Sequence, residues 1–148
     1  MRDVEALRKR IPLRYPYLML DRVLEEGPDR VVALKNVSIG EPVFQGHFPE
    51  PLPAILPGTL VIEAMAQAAA FLLVGEGDRP ALGYLVGIDA ARFRRKVVPG
   101  DQLRLEATRV RSRRDLVVAE VTASVDGEVA ASATLSLVLA REEGAPGP

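Results

Sequence analysis

The sequence predicts an α+β fold, an antiparallel sheet of five to seven strands curled around one long, mostly apolar helix. Two patterns carry this expectation. Residues 59–74 (TLVIEAMAQAAAFLLV) are rich in Leu, Ala and Met, and their only polar side chains, Thr59, Glu63 and Gln67, recur every four residues. On a helix that spacing makes one narrow polar stripe and leaves every other direction apolar, so the rest of the chain must wrap it. On both sides of Asp126-Gly127, apolar and small residues alternate at the strand period, the pattern of a two-residue type I′ hairpin.

The elements follow in order. Residues 3–9 are expected to form a short helix, which Pro12 and Pro16 stop before holding the chain extended. Residues 17–24 and 30–37 read as strands joined by the turn cluster Glu26-Gly27-Pro28-Asp29. Over 40–58, prolines at 42, 49, 51, 53 and 57 and glycines at 40, 46 and 58 exclude helix and central strand. They mark a long constrained loop, and such loops in compact domains are usually functional. The helix over 59–74 ends at Gly75. Its length of about 24 Å is too short for a bilayer, and it carries a carboxylate, so burial within protein is expected instead. Strands follow over 81–93, 102–110, Leu116–Val125 and 128–140, with Pro99-Gly100-Asp101 and Asp126-Gly127 as turns. One sheet cannot wrap a helix completely, so a second copy of the chain is expected to cover the open face. The chain reads as a single domain over 1–140, and the tail 141–148 is expected to be disordered.

Composition bounds the chemistry. The chain has 148 residues, 48% hydrophobic and 26% charged, with no Cys, no Trp and one His. Disulfides, thiol nucleophiles, zinc ribbons, iron–sulfur clusters and paired-His metal motifs are excluded, and no cofactor is expected. The net charge of −1 suits neither nucleic acid nor an anionic membrane as partner of the whole molecule. Nine of the nineteen Lys and Arg residues nevertheless fall between Arg92 and Arg114, opposed only by Asp101 and Glu106. That segment suits either a strand with water-facing charges or a docking face for an acidic partner. The N-terminal residues lack an uninterrupted apolar run and a small-residue cleavage site, so a cytoplasmic location is the default expectation.

Three residues could carry chemistry. His47, within Phe44-Gln45-Gly46-His47-Phe48-Pro49, is the one side chain that titrates near neutrality unaided. A lone His is commonly structural, but Gly46 and Pro49 hold this one in a stiff loop, which favours function. Glu63, on an otherwise apolar helix, must be paired, hydrated or protonated, and a protonated carboxyl is an acid. Its bland alternative is an acidic residue near a helix start, reaching solvent. Gln67, one turn on, is placed to hydrogen-bond Glu63 and fix its rotamer. Pro57-Gly58 either simply begins the helix or aims a bare N–H at the positive end of its dipole, where a carbonyl oxygen gaining charge would be stabilised. A base, an acid and an oxyanion donor form the set needed to remove a proton beside a thioester carbonyl and expel a hydroxyl from the next carbon. No G-x-S-x-G elbow, P-loop or dinucleotide fingerprint competes.

Four ordered blocks now resemble a known family: residues 11–24 (IPLRYPYLMLDRVL), 35–49 (KNVSIGEPVFQGHFP), 57–68 (PGTLVIEAMAQA) and 87–103 (GIDAARFRRKVVPGDQL). The chain is similar over 10–140 to the (3R)-hydroxyacyl-[acyl carrier protein] dehydratases of type II fatty acid synthesis, which have the hotdog fold. The resemblance implies a catalytic base at His47, a catalytic acid at Glu63 and a backbone donor at Gly58. It implies that Tyr15, Phe93 and Pro99, with Gln67, line or border the acyl site. It also implies an active site shared across a homodimer, with a hexamer as trimer of dimers in some members. The substrate would arrive on phosphopantetheine carried by an acidic acyl carrier protein, giving Arg92, Arg94, Arg95 and Lys96 a docking role. Two alternatives on the same fold are an acyl thioesterase and a non-catalytic acyl-binding subunit. The chain departs from the family between His47 and Pro57, where 49–56 (PEPLPAIL) is about two residues longer than usual. Such an insertion either bulges outward or displaces His47 from Glu63, and about 1 Å of displacement can cost about a hundredfold in rate.

Overall fold

The computed structural model describes residues 1–75, 80 and 82–140. Helix α1 (Val4–Arg10) is capped by the Asp3 side chain, which accepts the Ala6 N–H at 2.9 Å. Strands β1 (Arg22–Glu26) and β2 (Arg30–Asn36) form the first hairpin. After the long loop come the central helix α2 (Gly58–Ala70) and strands β3 (Gly83–Phe93), β4 (Gln102–Arg113), β5 (Leu116–Val125) and β6 (Glu128–Leu139). All neighbours are antiparallel, in the spatial order β1-β2-β4-β5-β6-β3. The sheet is thus the expected curled one, and α2 lies across β2, β4, β5, β6 and β3. Asp126 and Gly127 both take positive φ in the final turn, as a type I′ connection requires.

Alternation explains the sheet's grip on α2. Val117, Ala119, Val121, Ala123 and Val125 of β5 are buried, as are Leu103, Leu105 and Ala107 of β4. They meet a helix whose Ala64, Met65, Ala68 and Ala69 are fully buried, the three alanines letting the sheet approach closely. Burial of these apolar positions contributes roughly 25 cal/mol per Å² removed from water.

Four details differ from the sequence reading. The expected strand over 17–24 begins only at Arg22, because the preceding residues are used as cover for α2: Met19 and Leu20 enter its core, and the Tyr17 and Met19 backbones bond Gln67. The long loop does contain helix, one 3-10 turn over Pro42–Gln45 with its proline in the first turn, where a missing N–H costs nothing. Regular helix stops at Ala70 rather than Val74. Leu72 and Leu73 bond three residues back, to Ala69 and Ala70, and the turn closes at Gly75 with φ +65°. Arginines from elsewhere satisfy carbonyls at this end: Arg109 Nη2 donates to Leu72 at 2.7 Å and Arg10 Nη2 to Gly75 at 2.8 Å. Finally, the uncovered apolar surface is not on the helix. From Val61 to Leu72 only Glu63 escapes full burial, since residues from 11–20 and 43–56 close over it. Exposed instead are Tyr84 (63%), Val86 (59%), Ile88 (49%) and Phe93 (54%) of β3, the strand at the sheet's edge. The expected strand start at Ala81 and the expected disorder of 141–148 lie outside the described residues.

Candidate active site

The loop that carries His47 is braced at its entrance. Lys35, 4% exposed at the end of β2, pairs with Glu41 at 2.7 Å, and the same carboxylate accepts the Ser38 N–H at 3.0 Å. The 3-10 turn follows, burying Phe44 in the core, and Gly46 then opens the chain outward. His47 is half-buried, its ring stacked on Phe48 with centroids 4.2 Å apart.

One contact fixes the imidazole's chemistry. His47 Nδ1 lies 2.7 Å from the Ile55 carbonyl oxygen. A carbonyl can only accept, so Nδ1 carries the hydrogen, and in the neutral ring the lone pair is on Nε2. The Ile55 N–H returns a bond to the His47 carbonyl at 3.3 Å. These reciprocal bonds clasp the ends of the longer segment together, and Leu56 is tied in turn to Val97 at 2.8 Å. Residues 48–53 stand exposed beyond the clasp. Residues 48–53 therefore bulge outward, and His47 is held by bonds that do not depend on what lies between.

Glu63 and Gln67 meet as the spacing predicted, Gln67 Nε2 donating to Glu63 Oε1 at 2.9 Å. Gln67 is 3% exposed, and Glu63 is half-buried. Both line a narrow cavity of about 100 Å³ whose other walls include Ile11, Leu13, Ala66 and Leu137.

Gly58 borders a different and larger cavity of about 320 Å³, together with Ile55, Phe93, Arg94, Arg95 and Lys96. The Leu60 and Val61 N–H groups both turn to the Pro57 carbonyl, whereas those of Gly58 and Thr59 have no acceptor among the described residues. These open donors sit at the positive end of α2. A Cβ on Gly58 would meet the Phe93 ring at 2.9 Å, so only glycine lets that ring lie against the helix start.

The expected site residues thus divide. Ile55, whose carbonyl holds the His47 ring, lines one cavity with Gly58, Phe93 and the Arg94–Lys96 stretch, Glu63 with Gln67 lines another, and His47 itself lines neither. Arg95 already lies near two acids, 3.7 Å from Asp101 and 3.5 Å from Glu128, leaving Arg94 and Lys96 as the exposed cations of the wall. Arg92 is exposed but lines neither cavity. Tyr15, 80% exposed, and Pro99, in the turn before β4, also lie away from both. Ile11 and Leu13, near Tyr15 in sequence, take the wall position expected of it. Sequence reasoning missed Ile55, whose role belongs to its backbone, and the alanines that give Glu63 its cavity. Among the described residues, no group of three or more His, Asp or Glu side chains gathers where a metal could be held.

Comparison with known proteins adds to this geometry. The model of the FabA-like domain family matches residues 11–134. The 3-hydroxyacyl-[acyl-carrier-protein] dehydratase FabZ of Streptococcus agalactiae serotype V is 46% identical over 140 residues, 94% of this chain and 99% of that protein. The FabZ of Streptococcus gordonii is likewise 46% identical over 140 residues, with the same shares of the two chains. Among solved structures, the dehydratase heterocomplex ApeI:P from Xenorhabdus doucetiae superposes with a TM-score of 0.76 at 23% identity, over 92% of this chain and 91% of that one. Streptococcus mutans smu.793 bound to acetyl CoA reaches 0.65 at 14% identity, over 88% and 94%. At those identities the structures establish the fold alone, and it is the hotdog arrangement of a curled sheet around a central helix.

Proposed function

The chain belongs to the FabA-like domain family, and from that premise we propose that it is a hydro-lyase of fatty acid synthesis, converting 3-hydroxyacyl carrier-protein thioesters to 2-enoyl thioesters and water. The observation that carries this reading is the bond from His47 Nδ1–H to the Ile55 carbonyl, which presents Nε2 of the one histidine as an acceptor. Nε2 takes a proton from the carbon beside the thioester carbonyl. Charge moves onto the carbonyl oxygen, and the open Gly58 N–H at the start of α2 steadies it. As the hydroxyl on the next carbon leaves, Glu63 gives it a proton and water departs. The (3R) configuration and a trans double bond are the expected stereochemistry.

Support for a homodimer comes from β3, an edge strand with large apolar side chains exposed along it, the kind of edge that pairs with another strand. Support for a site shared between subunits comes from the separation of the two cavities, Gly58 lining one together with Ile55, whose carbonyl holds the His47 ring, and Glu63 lining the other. Arg94 and Lys96 receive the acidic carrier protein at the mouth of the Gly58 cavity.

Incubating the protein with a crotonyl carrier-protein thioester tests the reading. Reversible hydration to the 3-hydroxyacyl thioester is the expected outcome. Release of free acid would identify a thioesterase instead, and neither product a binding subunit.

A further inference from the structure

Among the described residues, Arg10, Lys35 and Gln67 are the polar or charged side chains that are fully buried, and Gln67 alone of these is neutral. Its amide is pinned on both sides. Oε1 accepts the Met19 N–H at 2.9 Å, while Nε2 donates to the Tyr17 carbonyl at 2.7 Å and to Glu63 Oε1 at 2.9 Å. A backbone N–H can only donate and a carbonyl can only accept, so these two partners forbid the flipped amide. Its second N–H is therefore committed to Glu63 as a donor whatever the protonation state of that carboxyl.

This has a chemical consequence for Glu63. In a neutral carboxyl the carbonyl-type oxygen is the better acceptor, and the hydrogen sits on the other oxygen. A fixed donor at Oε1 makes Oε1 the carbonyl-type oxygen and puts the hydrogen on Oε2. We propose that Gln67 is a positioning residue for the acid step, assigning the transferable proton of Glu63 to Oε2. The inference rests on Glu63 being the acid. In that step the C2–H electrons become the second bond between C2 and C3, the C3–O bond breaks, and the Oε2 proton joins the leaving hydroxyl as water. The proton taken from C2 resides on His47 Nε2 and returns to Glu63 through solvent.

A change of leaving group isolates this role, because chloride departs without a proton and hydroxide does not. Gln67→Met keeps the side chain's length and removes all three bonds. Gln67→Leu likewise removes the donor to Glu63 and, unlike an acidic replacement, brings no second ionisable group beside it. Each variant, with Glu63→Ala beside it, is assayed on 3-hydroxybutanoyl and 3-chlorobutanoyl pantetheine thioesters after thermal melts confirm folding. Both Gln67 variants are expected to lose at least about tenfold in kcat for water elimination, part of what a general acid supplies, and less than about threefold for chloride elimination. Equal losses on the two substrates, or no loss on either, overturn the proposal provided Glu63→Ala is selective for the hydroxy substrate. If Glu63→Ala itself depresses both eliminations equally, Glu63 is not the acid, and the underlying reading falls with the proposal.

Discussion

His47 is held at one ring nitrogen and open at the other, so its contribution can be removed without touching the core. Replacing it by Ala leaves Phe44, Val43 and the Lys35–Glu41 pair in place to hold the loop. Turnover is expected to fall by about 10² to 10⁴ while the melting temperature changes little, as when a general base is deleted from an intact site. Activity within a factor of about two of the original would make the residue structural. His47, Glu63 and Gln67 were all legible in the sequence, because each is a polar side chain set in an apolar or proline-rich surrounding that does not otherwise need it. Ile55 was not legible: its carbonyl orients the imidazole, and a backbone acceptor leaves no mark on residue type. For Tyr15 the block does not say which side chain faces inward, since that depends on packing: within this chain Ile11 and Leu13 line the Glu63 cavity, while Tyr15 is exposed.

At the scale of elements, the clasp between His47 and Ile55 separates the length of the intervening segment from the position of the imidazole. Removing two residues from the exposed stretch, such as Pro51 and Leu52, is expected to leave kcat within about threefold, since shortening a closed loop changes its closure entropy by only tenths of a kcal/mol. A loss of a hundredfold in steady-state kcat would show that the extra residues set the geometry themselves. The wall after β3 offers a second prediction. Arg94→Glu with Lys96→Glu reverses the two exposed cations, and KM for a carrier-protein thioester is expected to rise by about tenfold or more at low salt. KM for a short pantetheine thioester should stay unchanged, and equal effects on both substrates would remove the docking role. Strands β5 and β6 were readable nearly to the residue because both alternate cleanly around a turn that only a few residue pairs can make. The start of β1 was not, because apolar residues that pave a helix and apolar residues that enter a ladder look alike in sequence.

At the scale of the whole molecule, the expectation of a second copy was drawn from the apolar helix, yet the chain buries that helix by itself and leaves β3 uncovered. The central claim is that His47 of one subunit and Glu63 of another complete each site, and mixing two inactive variants tests it most directly. His47→Ala and Glu63→Ala are each expected to be inactive alone. In a mixed dimer one site has lost both groups and the other retains both. Random exchange makes half of all dimers mixed, each with one good site of two, so about a quarter of wild-type activity should return in an equimolar mixture by the arithmetic of twofold symmetry. A mixture that stays inactive although subunit exchange is verified by mass-tagged chains would contradict the shared site.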